Sequence, residues 1–139
     1  MRRIVIAALC IMSVALLVGC DGDGDGGGGG GDSVSGTWSG TGSYHTGEFG
    51  EPLSMEFTME LNLNHQGTLV QGTYVVTRPV RGTMSGTASG TASAGTINMT
   101  LSPHGSASGQ YGGGVMNLTW FEDWGGGRGL TGAVSLGHQ

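Results

Sequence analysis

Between Leu53 and Asn64 apolar and polar residues alternate without a break, with Leu53, Met55, Phe57, Met59, Leu61 and Leu63 set against Ser54, Glu56, Thr58, Glu60, Asn62 and Asn64. The window 51–66 is free of glycine and long enough for a helix, but a period of two gathers the apolar side chains on one face of a strand and scatters them around a helix. A strand with one dry face is predicted. Shorter alternations recur at 36–44, 68–77, 80–89, 96–101, 106–111, 115–121 and 130–136. In them Val80, Gly82, Met84, Gly86 and Ala88 fall on one face, as do Ile97, Met99 and Leu101, then Met116, Leu118 and Trp120, then Leu130, Val134 and Leu136. His65-Gln66-Gly67 and Arg78-Pro79 supply turn chemistry between them.

About eight strands with hairpin-length connections predict an all-β domain with meander topology. A sheet of that length loses its exposed edges by closing on itself, so the expected fold is a small up-and-down antiparallel β-barrel, with an open β-sandwich as the alternative. Gly-Thr recurs eight times between Gly36 and Thr96 at irregular spacing. That fits inward glycines at sites of strand bending and close approach, rather than a solenoid repeat.

Gly36-Thr37-Trp38 resembles the Gly-x-Trp of lipocalin and avidin-like β-barrels, and Gly67-Thr68-Leu69-Val70-Gln71-Gly72-Thr73-Tyr74 resembles an early hairpin of the avidin-like group. The resemblance implies a barrel whose Trp38 packs at the closed end. Ser39-Gly40 stand where avidins carry asparagine, and 130–136 lacks their late carboxylate, so biotin binding is not implied.

The chain opens differently. Met1-Arg2-Arg3 is a cationic start, and residues 4–18 are apolar except for Ser13. This is the layout of an export signal, and the run is shorter than the roughly 20 residues a spanning helix needs. Leu17-Val18-Gly19-Cys20 resembles the lipobox of bacterial lipoproteins. That resemblance implies a signal peptide at 1–19, cleavage before Cys20, a diacylglycerol thioether on Cys20 and acylation of the new amino group. Two or three chains anchor stably where one binds marginally. Asp21 resembles the inner-membrane retention signal of enterobacterial lipoproteins. The expected location is the outer membrane, with the periplasmic face of the inner membrane as the alternative.

Residues 21–31 are glycine and aspartate alone, a composition that buries no apolar surface. Residues 20–35 therefore read as a lipidated cysteine and its tether, and 36–139 as the barrel domain. Asp21, Asp23, Asp25 and Asp32 also match positions 1, 3, 5 and 12 of a calcium loop, with Gly26 at position 6. No flanking helix is predicted and Gly28 takes the usual apolar place, so the tether is preferred to a calcium site.

Once residues 1–19 are removed, Arg78, Arg81 and Arg128 stand against ten carboxylates, a net charge of −7 with no lysine. Nucleic-acid binding is excluded on that balance. The domain has no cysteine, hence no disulfide, zinc-thiolate site or cysteine nucleophile. Common catalytic signatures are absent. Glu56 and Glu60 share a strand face, but about 14 Å apart at about 3.4 Å per residue, wider than a glycosidase pair. His45, His65, His104 and His138 fall in predicted turns or at the terminus. A non-enzyme without a cofactor is expected.

Five methionines, Met55, Met59, Met84, Met99 and Met116, lie on predicted inward faces, where flexible filling is a commoner use than copper(I) ligation. With inward glycines they suggest an adaptable apolar pocket, lined by Met55, Phe57, Met59, Tyr74, Met84, Trp120 and Trp124. The stretch 120–128, with two indoles, two acids and an arginine, reads as a loop between the last two strands. In it Trp120 caps the core while Trp124 and Arg128 cover the barrel mouth, or the loop recognises a sugar, peptide or protein. The expectation is a lipid-anchored envelope module for a small apolar or amphipathic ligand; the alternative is an interaction protein that displays loops to an envelope protein or glycan. The Thr/Ser/Gly-rich outward faces lack the apolar band of a transmembrane barrel.

Overall fold

The computed structural model describes residues 32–45, 54–126 and 128–139. They form eight strands: β1 (Gly36–His45), β2 (Met55–Gln66), β3 (Leu69–Arg78), β4 (Gly82–Ser93), β5 (Thr96–Ser102), β6 (Gly105–Gly112), β7 (Val115–Gly125) and β8 (Arg128–His138). Each pairs antiparallel with its sequence neighbours, and β1 pairs with β8 from Trp38↔His138 to His45↔Thr131. The sheet is thus a closed up-and-down barrel, and the sandwich alternative is excluded by that last ladder.

Alternation governs the interior. β2 buries Phe57, Met59, Leu61 and Leu63 and exposes the residues between them. Met59, Met99 and Met116 are buried in the same core, and Met55 and Met84 pack against it half-buried. Outside, β4 exposes Thr83, Ser85, Thr87, Ser89, Thr91 and Ser93, an unbroken hydroxyl row. Several inward glycines lie so close to a neighbouring strand that an added Cβ would run into its backbone; Gly86 against Ser102 and Gly109 against Asn117 are examples.

Several predicted boundaries move, three of them with consequences for the ends of the barrel. Val80 is 67% exposed in the β3–β4 turn, and β4 begins at Gly82 and runs on to Ser93. Pro79 had marked the corner, but the turn needs Val80 and Arg81 as well. β7 continues to Gly125, so most of 120–128 is strand, with Trp120, Glu122 and Trp124 on the inward face and an irregularity between Asp123 and Gly125. Residues 32–35, placed in the tether by composition, lie against the barrel.

That segment closes one end, here called the base. Val34 is wholly buried and accepts a hydrogen bond through its carbonyl from Trp38 Nε1 at 2.9 Å. The Val34 amide donates to His65 Nδ1 at 3.4 Å, the His65 amide to Ser35 Oγ at 2.9 Å, and the Gly113 amide to Asp32 Oδ2 at 2.7 Å. His138 Nε2 lies 3.0 Å from the Ser35 carbonyl, with its ring edge-on to Trp38 at 4.8 Å. His65 is therefore a half-buried strand residue and no turn histidine, because its ring caps the incoming chain. The opposite end, the rim, carries the β3–β4, β5–β6 and β7–β8 turns.

Candidate functional site at the rim

Beneath the rim the aromatic residues fill the barrel. The Phe57 ring lies 5.0 Å from Trp120 and 6.1 Å from Tyr44, centroid to centroid. A Cβ at Gly132 would sit 3.0 Å from Phe57 Cε1 and 3.1 Å from Trp120 Cε3, so the absence of a side chain there makes room for both rings. Phe57, Met59, Tyr74 and Trp120 are at most 1% exposed. Surface so nearly absent leaves a water-sized molecule almost nothing to touch, and these four are core side chains. The other three residues expected to line a pocket, Met55, Met84 and Trp124, are half-buried at the rim. Tyr44 OH donates to Met55 Sδ at 3.4 Å.

Two donors are buried in the aromatic layer. Tyr74 OH and Trp120 Nε1 have no hydrogen-bond partner among the described residues. Burial pushes the Tyr74 phenol above its ordinary pKa; the negative charge of Glu122 adds to this and Arg78 opposes it.

On this layer rests a buried ion pair. Arg78, the last residue of β3, donates from a terminal guanidinium nitrogen to Glu122 of β7, and its Nε donates to the Gly82 carbonyl at 3.3 Å. Both residues are only 7% exposed. Each needs the other, since an unpaired charge in that position loses its hydration without compensation. Above them the Arg81 guanidinium stands 4.3 Å over the Trp124 ring. Every arginine of the described residues, Arg78, Arg81 and Arg128, thus belongs to the rim, a clustering that the linear sequence hides.

Beside the ion pair an open groove of about 660 Å³ runs between the β5–β6 turn and the end of β7. His104, Ser106, Phe121, Asp123 and Trp124 are among its walls. Asp123 is held at both ends: its amide donates to the His104 carbonyl at 2.8 Å, and its Oδ1 accepts from the Gly125 amide at 2.7 Å. Phe121 faces outward, 41% exposed.

The other expected sites are scattered or lie elsewhere. Cys20, Asp21, Asp23 and Asp25 are outside the described residues, while Asp32 caps the Gly113 amide at the base. His65 and His138 are at the base, and His45 and His104 at the rim. Glu56 and Glu60 are both exposed on the outer face of β2. Glu122 and Phe121 belong to 120–128, the stretch expected to be a capping or recognition loop, and the strand that holds them sets their opposite directions. Their signal was the strand alternation itself, which runs on through 121–124 and sends Glu122 in and Phe121 out.

Fold and rim together define a small closed β-barrel with an aromatic core and an ion-paired cap. No protein-family model matches the chain, and no curated protein matches it. Among solved structures, the crystal structure of Rv2717c from M. tuberculosis matches at 14% identity with a TM-score of 0.45, covering 76% of this chain and 92% of that one. That likeness is too slight to carry an inference.

Proposed function

We propose that this protein is a lipid-anchored, non-catalytic lipoprotein of the bacterial cell envelope, whose barrel serves as a solid scaffold that presents its rim to an envelope partner. The observation that carries this reading is the filled interior: Phe57, Met59, Tyr74 and Trp120 belong to one buried cluster and are at most 1% exposed, where a ligand-carrying barrel would keep a cavity. In this reading Cys20 bears the lipid and the outer membrane is the site. The chain that follows the tether docks at the base, which leaves the rim facing away from the membrane.

Two measurements test it. Replacing Cys20 by serine should release the protein from membranes without unfolding the barrel, and a serine variant that still pellets with membranes overturns the anchor. A photo-crosslinking residue placed at 121, on the rim, should capture an envelope component in cells, while one placed at 60, on the outer face of β2, should not. Equal capture at both positions removes the case for rim display.

A second reading, a binding module for a small apolar or amphipathic ligand, draws on Tyr74 OH and Trp120 Nε1, two buried donors without an acceptor among the described residues. A ligand would enter between Met55, Met84 and Trp124 and displace part of the core. Mass spectrometry of the natively purified protein distinguishes the two: a stoichiometric small molecule favours the second reading and its absence the first.

A further inference from the structure

We propose that the groove beside β7 is a binding site for a neutral saccharide, with Phe121 as the stacking platform and Asp123, His104 and Ser106 as the hydroxyl-recognising edge. The proposal rests on the rim being the presented face and names what that face takes.

Phe121 is the one outward-facing Phe, Tyr or Trp among the described residues, with Ser106 and Thr131 opposite it on the two neighbouring strands. Its position is defined. The distal edge of the ring crosses the β8 backbone at Gly129, where an added Cβ would meet Cζ at 3.0 Å and Cε2 at 3.1 Å. The Glu122 carbonyl oxygen stands nearer still to that position, so the backbone holds residue 129 to glycine and the ring lies in the space this leaves. A pyranose offers one face of C–H bonds, which stacks on such a ring, and a rim of hydroxyls, which need acceptors and donors beside it.

The groove supplies those groups. The Asp123 carboxylate is oriented by the Gly125 amide through Oδ1, a fixed acceptor for paired hydroxyls. The Ser106 and Phe121 positions face each other directly across the β6–β7 ladder, and both line the groove. The volume of about 660 Å³ suits a ligand of one to a few rings.

Two features favour a saccharide over other occupants. An extended peptide would add itself to a sheet edge, but the barrel is closed and both ladders of β7 are occupied. A purely apolar ligand would desolvate Asp123, His104 and Ser106 and offer them no polar contact in return. The groove also does not end at the turn. Ser106 is shared with a second depression of about 340 Å³ on the wall, where Ser89, Asn98, Thr100 and Ser108 offer an uncharged row of hydroxyls and amides. A chain of sugars longer than the rim groove would find further partners along that row.

The test is an array of bacterial and plant oligosaccharides and polysaccharides, followed by calorimetry with each neutral hit and, in parallel, with a basic peptide. At least one neutral saccharide should bind. Phe121→Thr and Asp123→Asn should each weaken it about tenfold or more, the scale of losing one stacked ring or one charged acceptor, and Phe121→Trp should restore it. Thermal unfolding of each variant confirms that these exposed positions leave the barrel intact. Binding of no saccharide at millimolar concentration, binding that survives both substitutions, or binding of the basic peptide alone overturns the proposal. A protein crosslinked from position 121 in cells alongside any of those results would leave rim display standing and remove the saccharide alone.

Discussion

Arg78 and Glu122 are 44 residues apart in the chain and meet inside the barrel, the guanidinium donating to the carboxylate just below the rim. The pair joins β3 to β7, strands that share no ladder. It ties opposite walls of the barrel together where the core ends.

Losing one member of this pair should cost far more than losing both. Arg78→Met leaves a buried carboxylate and Glu122→Leu a buried guanidinium, and each should lower stability by about 3 to 5 kcal/mol. The double variant should recover much of that loss. Urea unfolding of the four proteins gives the coupling directly, and additive losses would mean that the two charges do not depend on each other.

Tyr74 gives the fold an alkaline limit. Its pKa in the folded state is raised, so the folded protein holds the phenolic proton more tightly than the unfolded chain, whose tyrosines titrate at about 10. The contribution is complete below about pH 10 and is lost as the pH rises from there through the folded-state value. Thermal midpoints should therefore fall above about pH 10 in the wild type and fall less steeply in Tyr74→Phe. Identical slopes would remove the phenol from the account.

The β4–β5 turn holds a correctable strain. Ala94 and Gly95 are its two central residues, with φ of 50° and 78°, the geometry of a type I′ hairpin turn. Glycine adopts it readily and asparagine tolerates it, whereas alanine is disfavoured there by about 1 kcal/mol. Ala94→Asn should raise stability by about 0.5 to 1 kcal/mol. A drop in the unfolding midpoint would contradict that assignment.

The segment ahead of β1 should behave as part of the domain. A protein that begins at Gly36 should melt at a lower temperature than one that begins at Asp32. Val34→Ala in the longer chain should cost about 1.5 kcal/mol, two methyl groups' worth of burial. Equal melting temperatures would return these residues to the tether.

Legibility in the sequence followed the strength of the alternation. In β2 every second residue is large and apolar, so the strand and its buried face could be read directly. In β4 the inward residues are Met84, Gly86, Ala88, Gly90 and Ala92, too small to mark where the strand stops, and its carboxyl end was missed. Val34 stands alone between a glycine-aspartate run and Ser35, and a single apolar residue has no period. Glu122 failed for another reason. A carboxylate on an inward position reads as a break in the strand until its counter-ion is known, and Arg78 is too far along the chain to suggest itself. The groove shares that difficulty: Ser106, Phe121 and Gly129 belong to three strands, and their adjacency exists only in the closed sheet.

An even number of passes up and down the barrel has a practical consequence for anyone who wishes to build on this protein. Asp32 and Gln139 both belong to the base, where the Gln139 amide donates to the Thr37 carbonyl at 2.9 Å. A fluorescent protein or affinity tag joined after Gln139 would therefore sit beside the point where the chain enters the barrel. Peptides spliced into the turn at 79–81 would be carried on the far side, at the opposite end of the barrel from Asp32 and Gln139.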